Sequence, residues 1–122
     1  MDHLFTNSHP GRQVDGAIGS LDVLPEIADA VGDKMTILFD SGVRTGADIV
    51  KALCLGAKAV LVGRPVIYGL SIDGRNGAKQ VLQGLLADMW QTMGLAGICG
   101  VADCDRSRLR RVAHGGDMKA MM

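Results

Sequence analysis

Met35-Thr-Ile-Leu-Phe-Asp40-Ser-Gly-Val-Arg44-Thr-Gly46 reads in two halves. Met35–Phe39 is a short apolar run rich in strand formers. It lacks polar alternation, which predicts a strand covered on both faces, as in parallel α/β sheets. Asp40–Gly46 is a tight turn carrying a carboxylate, a glycine and an arginine. A helical pattern follows in Ala47, Ile49, Val50, Ala52, Leu53 and Leu55, with Gly56 placed to end it. Thr45 and Asp48 have the spacing of a capping box at its start. A strand, a Gly/Arg turn and a helix N-terminus in succession build an anion site. Unpaired N–H groups at the helix start point at the turn, and the helix dipole favours negative charge there. Arg44 adds a planar, permanently charged fork suited to phosphate.

A weaker copy of the unit follows. Ala59-Val-Leu-Val62 predicts a second strand, and Gly63-Arg64-Pro65 a second turn with an arginine. Pro65 suits the first position of a helix. Parallel strands put both turns on one side of a sheet. In (β/α)₈ barrels the loops after the seventh and eighth strands hold a phosphate in this way. The plainer alternative is that the glycines make turns and the arginines are solvated.

On the N-terminal side, residues 1–19 are polar and rich in turn formers, with a strand fragment at Leu4-Phe5. Ser20 reads as an N-cap, and Leu21, Leu24, Ile27, Ala28 and Val31 share one helical face. Gly32 is placed to stop that helix in the left-handed conformation. On the C-terminal side, Val66–Leu70 fits a turn or two of helix, and Asp73-Gly-Arg-Asn-Gly77 reads as a loop. Ala78, Val81, Leu82, Leu85, Leu86, Met89 and Met93 then mark a strong helical period, ended by Gly94 and Gly97. Gly84 inside this helix suggests close packing, since it costs about 1 kcal/mol of propensity relative to alanine. The charged run 103–111 reads as a solvated face, and 113–122 as a disordered tail after a domain segment spanning 1–112.

Only two strands are clear in this pattern, and a complete (β/α)₈ barrel needs ~250 residues. The fold expected is therefore α/β: the C-terminal portion of a (β/α)₈ barrel, incomplete.

The 122 residues carry 13 basic and 13 acidic side chains, so no global field draws the chain to nucleic acid or an acidic membrane. Few aromatics argue against a base-stacking surface. No run reaches the ~18 apolar residues of a membrane span. Met1–Thr6 lacks the regions of a signal peptide. Cys54, Cys99 and Cys104 form no CxxC pair and read as reduced thiols of a cytoplasmic protein. Cys99, Cys104 and His114 fit no zinc spacing, so no metal is expected.

The remaining chemistry lies in Asn7-Ser-His9-Pro-Gly-Arg12-Gln-Val-Asp15. A histidine is the usual general base near neutral pH, and an arginine grips a carboxylate through two parallel hydrogen bonds. Such a polar loop also occurs as plain surface.

Taken in order, His9-x-Gly-Arg12-Gln13-x-Asp15-Gly16, Leu24-Pro-Glu-Ile27, Asp40-x-Gly-Val-Arg44-x-Gly46, Lys51-Ala-Leu, Leu55-Gly-Ala57 and Gly63-Arg-Pro65 closely resemble the C-terminal part of the FMN-dependent α-hydroxy acid dehydrogenase/oxidase family. The wording around Ile18–Arg44 is most similar to the lactate 2-monooxygenase branch. The resemblance implies a TIM barrel with FMN at its C-terminal face and a small, lactate-like L-2-hydroxy acid as substrate. It implies that His9 is the base and that Arg12 binds the substrate carboxylate. Asp40, Ser41, Gly42, Val43, Arg44, Gly63 and Arg64 match the segments that hold the FMN phosphate and ribityl chain. It further implies homo-oligomeric full-length relatives, and that the isolated chain is inactive. The upstream lysine and tyrosines typical of the family have no counterpart here. Pro10 and Ser41 stand where the family commonly has glycine; at Ser41 this reads as the milder change. Two alternatives remain: a non-catalytic remnant of such a barrel, or another phosphate-binding barrel enzyme, similar to inosine-monophosphate dehydrogenases. The histidine-arginine string argues against the latter.

Overall fold

A computed structural model describes residues 3–6 and 15–112. Strand β1 (His3–Thr6) leads, after the segment 7–14, to helix α1 (Ser20–Val31). Strand β2 (Thr36–Phe39), helix α2 (Gly46–Cys54), strand β3 (Ala59–Val60) and helix α3 (Arg64–Leu95) follow. Two single 3₁₀ turns, Val101–Asp103 and Arg106–Arg108, finish the described chain.

The strands form one parallel sheet in the order β1-β2-β3. His3 pairs with Thr36 and Thr6 with Phe39, while Leu38 pairs with Ala59 and Phe39 with Val60. All three strands therefore end at the same edge. The count of two clear strands is corrected to three. The strand fragment expected at Leu4-Phe5 is a full strand over His3–Thr6, paired along the whole of β2. β3 is shorter than the apolar run Ala59–Val62, although Lys58 N–H and Leu61 N–H still donate to Ile37 and Phe39 carbonyls at 2.8 Å.

All three helices and β2 contribute to one core. Leu24 of α1, Ile37 and Phe39 of β2, Ile49 and Leu53 of α2, and Leu85, Met89 and Met93 of α3 share one buried cluster. Leu24, Leu85, Met89 and Met93 belong to the stripes expected of α1 and α3, but Leu82 and Leu86, expected on the same face of α3, are exposed instead. Burying one such side chain fully stabilises by about 2 kcal/mol.

Four local expectations change. Gly32 is right-handed (φ −64°), and the left-handed stop falls instead at Gly56 (φ +116°), just past α2. Ser20 is the first helical residue rather than the cap, because its buried hydroxyl donates to the Asp40 carbonyl at 3.3 Å. The predicted loop 73–77 shrinks to a break at Asp73 and Gly74, with helix on both sides. Gly69 and Gly77 sit where the two arms of α3 cross, and a methyl on either would overlap the other's backbone. They are there for close approach, not for a loop. Gly84, by contrast, faces open space and packs against nothing.

Candidate functional site

The Asp40–Val43 turn leaves β2, and Gly63-Arg64 leaves β3, at the shared edge of two adjacent parallel strands. Seven of the nine residues singled out from the sequence, Asp40, Ser41, Gly42, Val43, Arg44, Gly63 and Arg64, thus come together. His9 and Arg12 lie outside the described residues.

The turn after β2 is held from three sides. Ser20 fixes the Asp40 carbonyl, Val43 is buried in the core, and Arg44 folds its guanidinium back to donate to the Val43 carbonyl at 2.8 Å. Ser41 (φ +92°) and Gly42 (φ +78°) both lie in the left-handed region. Ser41 is the one non-glycine residue with positive φ among the described residues. A serine there is strained by about 1–2 kcal/mol, so the departure at Ser41 is not the mild one expected.

Helix α2 starts as its capping box predicts. The Thr45 hydroxyl accepts the Asp48 N–H at 3.3 Å, and the Asp48 carboxylate accepts the N–H groups of Thr45 (3.0 Å) and Arg44 (3.1 Å). Burial alone raises the Asp48 carboxyl. The Arg44 and Thr45 donors, with Lys51 nearby, outweigh it and hold the carboxyl below its usual 3.8. One further N–H, that of Gly46, donates to the Asp88 carboxylate of α3 at 2.5 Å. Gly46 is required here, because a methyl would overlap the backbone of Asp88 and Met89.

This corrects the expected anion site. The N–H groups of Arg44 and Thr45, just before α2, and of Gly46, its first residue, are already matched to two protein carboxylates. The open donors lie beside them: the N–H groups of Gly42, Gly63 and Arg64 meet no protein acceptor among the described residues. Open space faces the Cα of Gly42 and of Gly63, and the side chains of Arg44 and Arg64 are exposed. Backbone N–H groups beside two guanidinium forks, with no Cβ in the way, fit a phosphate ester. Ser20 and Asp88 were not legible as contributors. Each acts on a backbone group more than fifteen residues away in sequence, a contact that no local pattern encodes.

The family model for FMN-dependent dehydrogenases matches residues 1–111. The chain belongs to the FMN-dependent dehydrogenase family. It is 70% identical over 119 residues to the FMN-dependent alpha-hydroxy acid dehydrogenase qulF of Penicillium citrinum, covering 98% of this chain and 30% of that protein. It is 47% identical over 106 residues to an L-lactate oxidase of Nostoc, covering 87% of this chain and 29% of that protein. Among solved structures, a putative lactate oxidase of Pediococcus acidilactici superposes with a TM-score of 0.85 at 41% identity, over 92% of this chain and 31% of its own. The chain thus spans about 30% of the length of such relatives. Its three parallel strands and their helices are part of a (β/α)₈ barrel, as expected, and the inosine-monophosphate-dehydrogenase-like reading falls away. FMN is the family's cofactor, and the open donors at the strand exits fit its phosphate. No metal-ligating cluster exists among the described residues, nor any helix long and apolar enough to cross a membrane.

Proposed function

We propose that this chain is the phosphate-holding and base-bearing sector of an FMN-dependent oxidoreductase that oxidises a small, lactate-like L-2-hydroxy acid. One observation carries the reading. Two adjacent parallel strands deliver Gly42 and Gly63-Arg64 to one edge, where their N–H groups meet no acceptor among the described residues, within a chain of the FMN family. When bound, FMN supplies the acceptor for the two electrons leaving the substrate.

The chain's own residues divide the remaining work. Gly42, Gly63, Arg44 and Arg64 hold the phosphate and so fix where the ring end lies. β1 ends at Thr6 beside Phe39, at the same edge. His9 is three residues further on, so chain length alone keeps it within roughly 10 Å of that edge. There its imidazole takes a proton from the hydroxy acid. Arg12 grips the substrate carboxylate, which fixes the orientation of the carbon being oxidised. Three free thiols among the described residues favour a cytoplasmic setting. Full-length homo-oligomers, with no nucleic-acid or membrane partner, complete the proposal.

The test is a barrel completed with the upstream portion of the Penicillium citrinum relative. Lactate should bleach its flavin anaerobically, and His9→Ala should slow bleaching by about 10²–10⁴-fold while a substrate analogue still binds. Arg12→Lys should mainly weaken binding, because a point charge replaces a fork. Equal bleaching in His9→Ala and parent would remove the base assignment. The 122-residue chain alone should not bleach, since a water-exposed, partly built site lacks pre-organised electrostatics.

A further inference from the structure

Ser20 is the one polar side chain buried among the described residues, at 7% exposure. A hydroxyl in that setting needs a partner. This one reaches across twenty residues of sequence to donate to the Asp40 carbonyl at 3.3 Å. It does nothing for its own helix. Gly19 caps α1 with no side-chain hydrogen bond, and the nearest hydroxyl is turned to the exit of β2 instead.

What the bond holds is strained. Asp40 is followed by Ser41 at φ +92° and Gly42 at φ +78°, two successive residues in the left-handed region. A serine keeps such a conformation only where its surroundings over-determine it. Downstream, Val43 is buried, and the Arg44 guanidinium donates to its carbonyl at 2.8 Å. Upstream, Ser20 grips the Asp40 carbonyl. The helix that carries Ser20 is a firm mount. Leu24, one turn on, is fully buried, and Arg106 binds the Asp29 carboxylate at 2.8 Å and the Pro25 carbonyl at 2.9 Å.

The C=O and N–H of a trans peptide point opposite ways. An Asp40 carbonyl held toward α1 therefore turns the Ser41 N–H away from α1. With both φ angles set, the direction of the Gly42 N–H is fixed as well. That N–H meets no protein acceptor among the described residues.

We propose that Ser20 is a positioning residue for the cofactor phosphate: by holding the Asp40 carbonyl against α1, its hydroxyl keeps the Ser41-Gly42 turn in the left-handed form that presents the Gly42 N–H at the strand exit. The inference rests on the strand exits being the FMN phosphate site. Ser20 is buried and acts through the turn. Without its hydroxyl the carbonyl is released, Ser41 relaxes toward negative φ, and the Gly42 donor swings out of place. A flavin with a phosphate loses by this, and a flavin without one does not.

The experiment uses the full chain in the completed barrel. Fluorescence titration gives the dissociation constants of FMN and of riboflavin, the same flavin without its phosphate. The parent should hold FMN the more tightly, by about tenfold or more. Ser20→Ala should weaken FMN by about tenfold and leave riboflavin unchanged. Ser20→Cys keeps the side-chain volume, but a thiol is a poor donor, so it should behave as Ser20→Ala does. It carries the test should the alanine variant fold poorly. Asp48→Ala removes the cap of α2 beside the same turn and should keep the parent's preference for FMN, which tells general loosening from lost positioning. A parent with no preference for FMN would overturn both the phosphate site and the role of Ser20. A parent preference that both Ser20 variants retain, or an equal loss for the two flavins, would overturn the role of Ser20 alone.

Discussion

At one edge of the sheet, two groups of backbone donors lie side by side with different fates. At the start of α2, the N–H groups of Arg44, Thr45 and Gly46 all meet carboxylates, those of Asp48 and Asp88. At the exits of β2 and β3, the N–H groups of Gly42, Gly63 and Arg64 meet no protein acceptor among the described residues. The lesson concerns helix N-termini as anion sites. The dipole and the orphan donors attract negative charge, but the protein's own carboxylates answer them first wherever a capping box or a neighbouring helix supplies one. What stays open for a ligand is the loop donor beside a glycine. On this view the α2 start is structural, and the strand exits are the place proposed for the phosphate.

The sharpest way to break this division is Gly46→Ala. Its methyl would overlap the Met89 backbone and push α3 off the α2 start, costing about 3 kcal/mol of stability. Thermal or urea unfolding reads that loss directly. A neutral substitution would mean that α2 and α3 are not in contact there.

Arg64→Ala, in the completed barrel, probes the other region. Removing one charge-assisted contact to a phosphate should weaken FMN retention by about tenfold or more, with unfolding little changed because the side chain is exposed. Flavin fluorescence titration measures it. Unaltered affinity would return Arg64 to the solvated reading. Arg44→Ala should have the smaller effect of the two, because its guanidinium is partly engaged by the Val43 carbonyl.

Asp48→Ala should lower stability by about 1 kcal/mol, the usual worth of a cap, and leave FMN affinity unchanged. The pH dependence has a definite sign. The folded carboxyl sits below its ordinary 3.8, so its contribution is complete above that value and fades as the pH falls through the folded value. Parent and variant unfolding curves should therefore converge in acid. An unchanged gap in strong acid would show that Asp48 acts by packing rather than by accepting hydrogen bonds.

The smallest expected effect refines the strand-exit side. Ser41→Gly relieves a left-handed serine at φ +92°, which should stabilise by about 1 kcal/mol or slightly less, since glycine also makes the unfolded chain more flexible. Calorimetry on parent and variant decides it. Destabilisation would mean that the contacts of Ser41's own side chain outweigh the strain.

Much of the fold was written in local pattern. The apolar run Thr36–Phe39, the Thr45/Asp48 box, the stop at Gly56 and Leu85, Met89 and Met93 of the α3 stripe stand where the periodicities put them, whereas Leu82 and Leu86 of that stripe are exposed. Each rests on interactions within one turn of helix or one strand, which a chain specifies by spacing. The two Gly/Arg turns were legible for the same reason, as were the family and its cofactor. Other features belonged to the tertiary structure alone. The extension of the expected Leu4-Phe5 fragment to a four-residue strand comes from its pairing with β2, and Ser20 leaves its capping role because the Asp40 carbonyl lies within reach. The glycines at 69 and 77 serve a crossing of two helical arms rather than a loop. Asp88, forty-two residues along the chain from Gly46, takes the α2 donor that spacing had left for a ligand. The sequence by itself determined which turns could hold an anion. Which of their N–H groups stay free to do so was decided only by packing, because a backbone donor binds whichever acceptor the folded chain brings nearest.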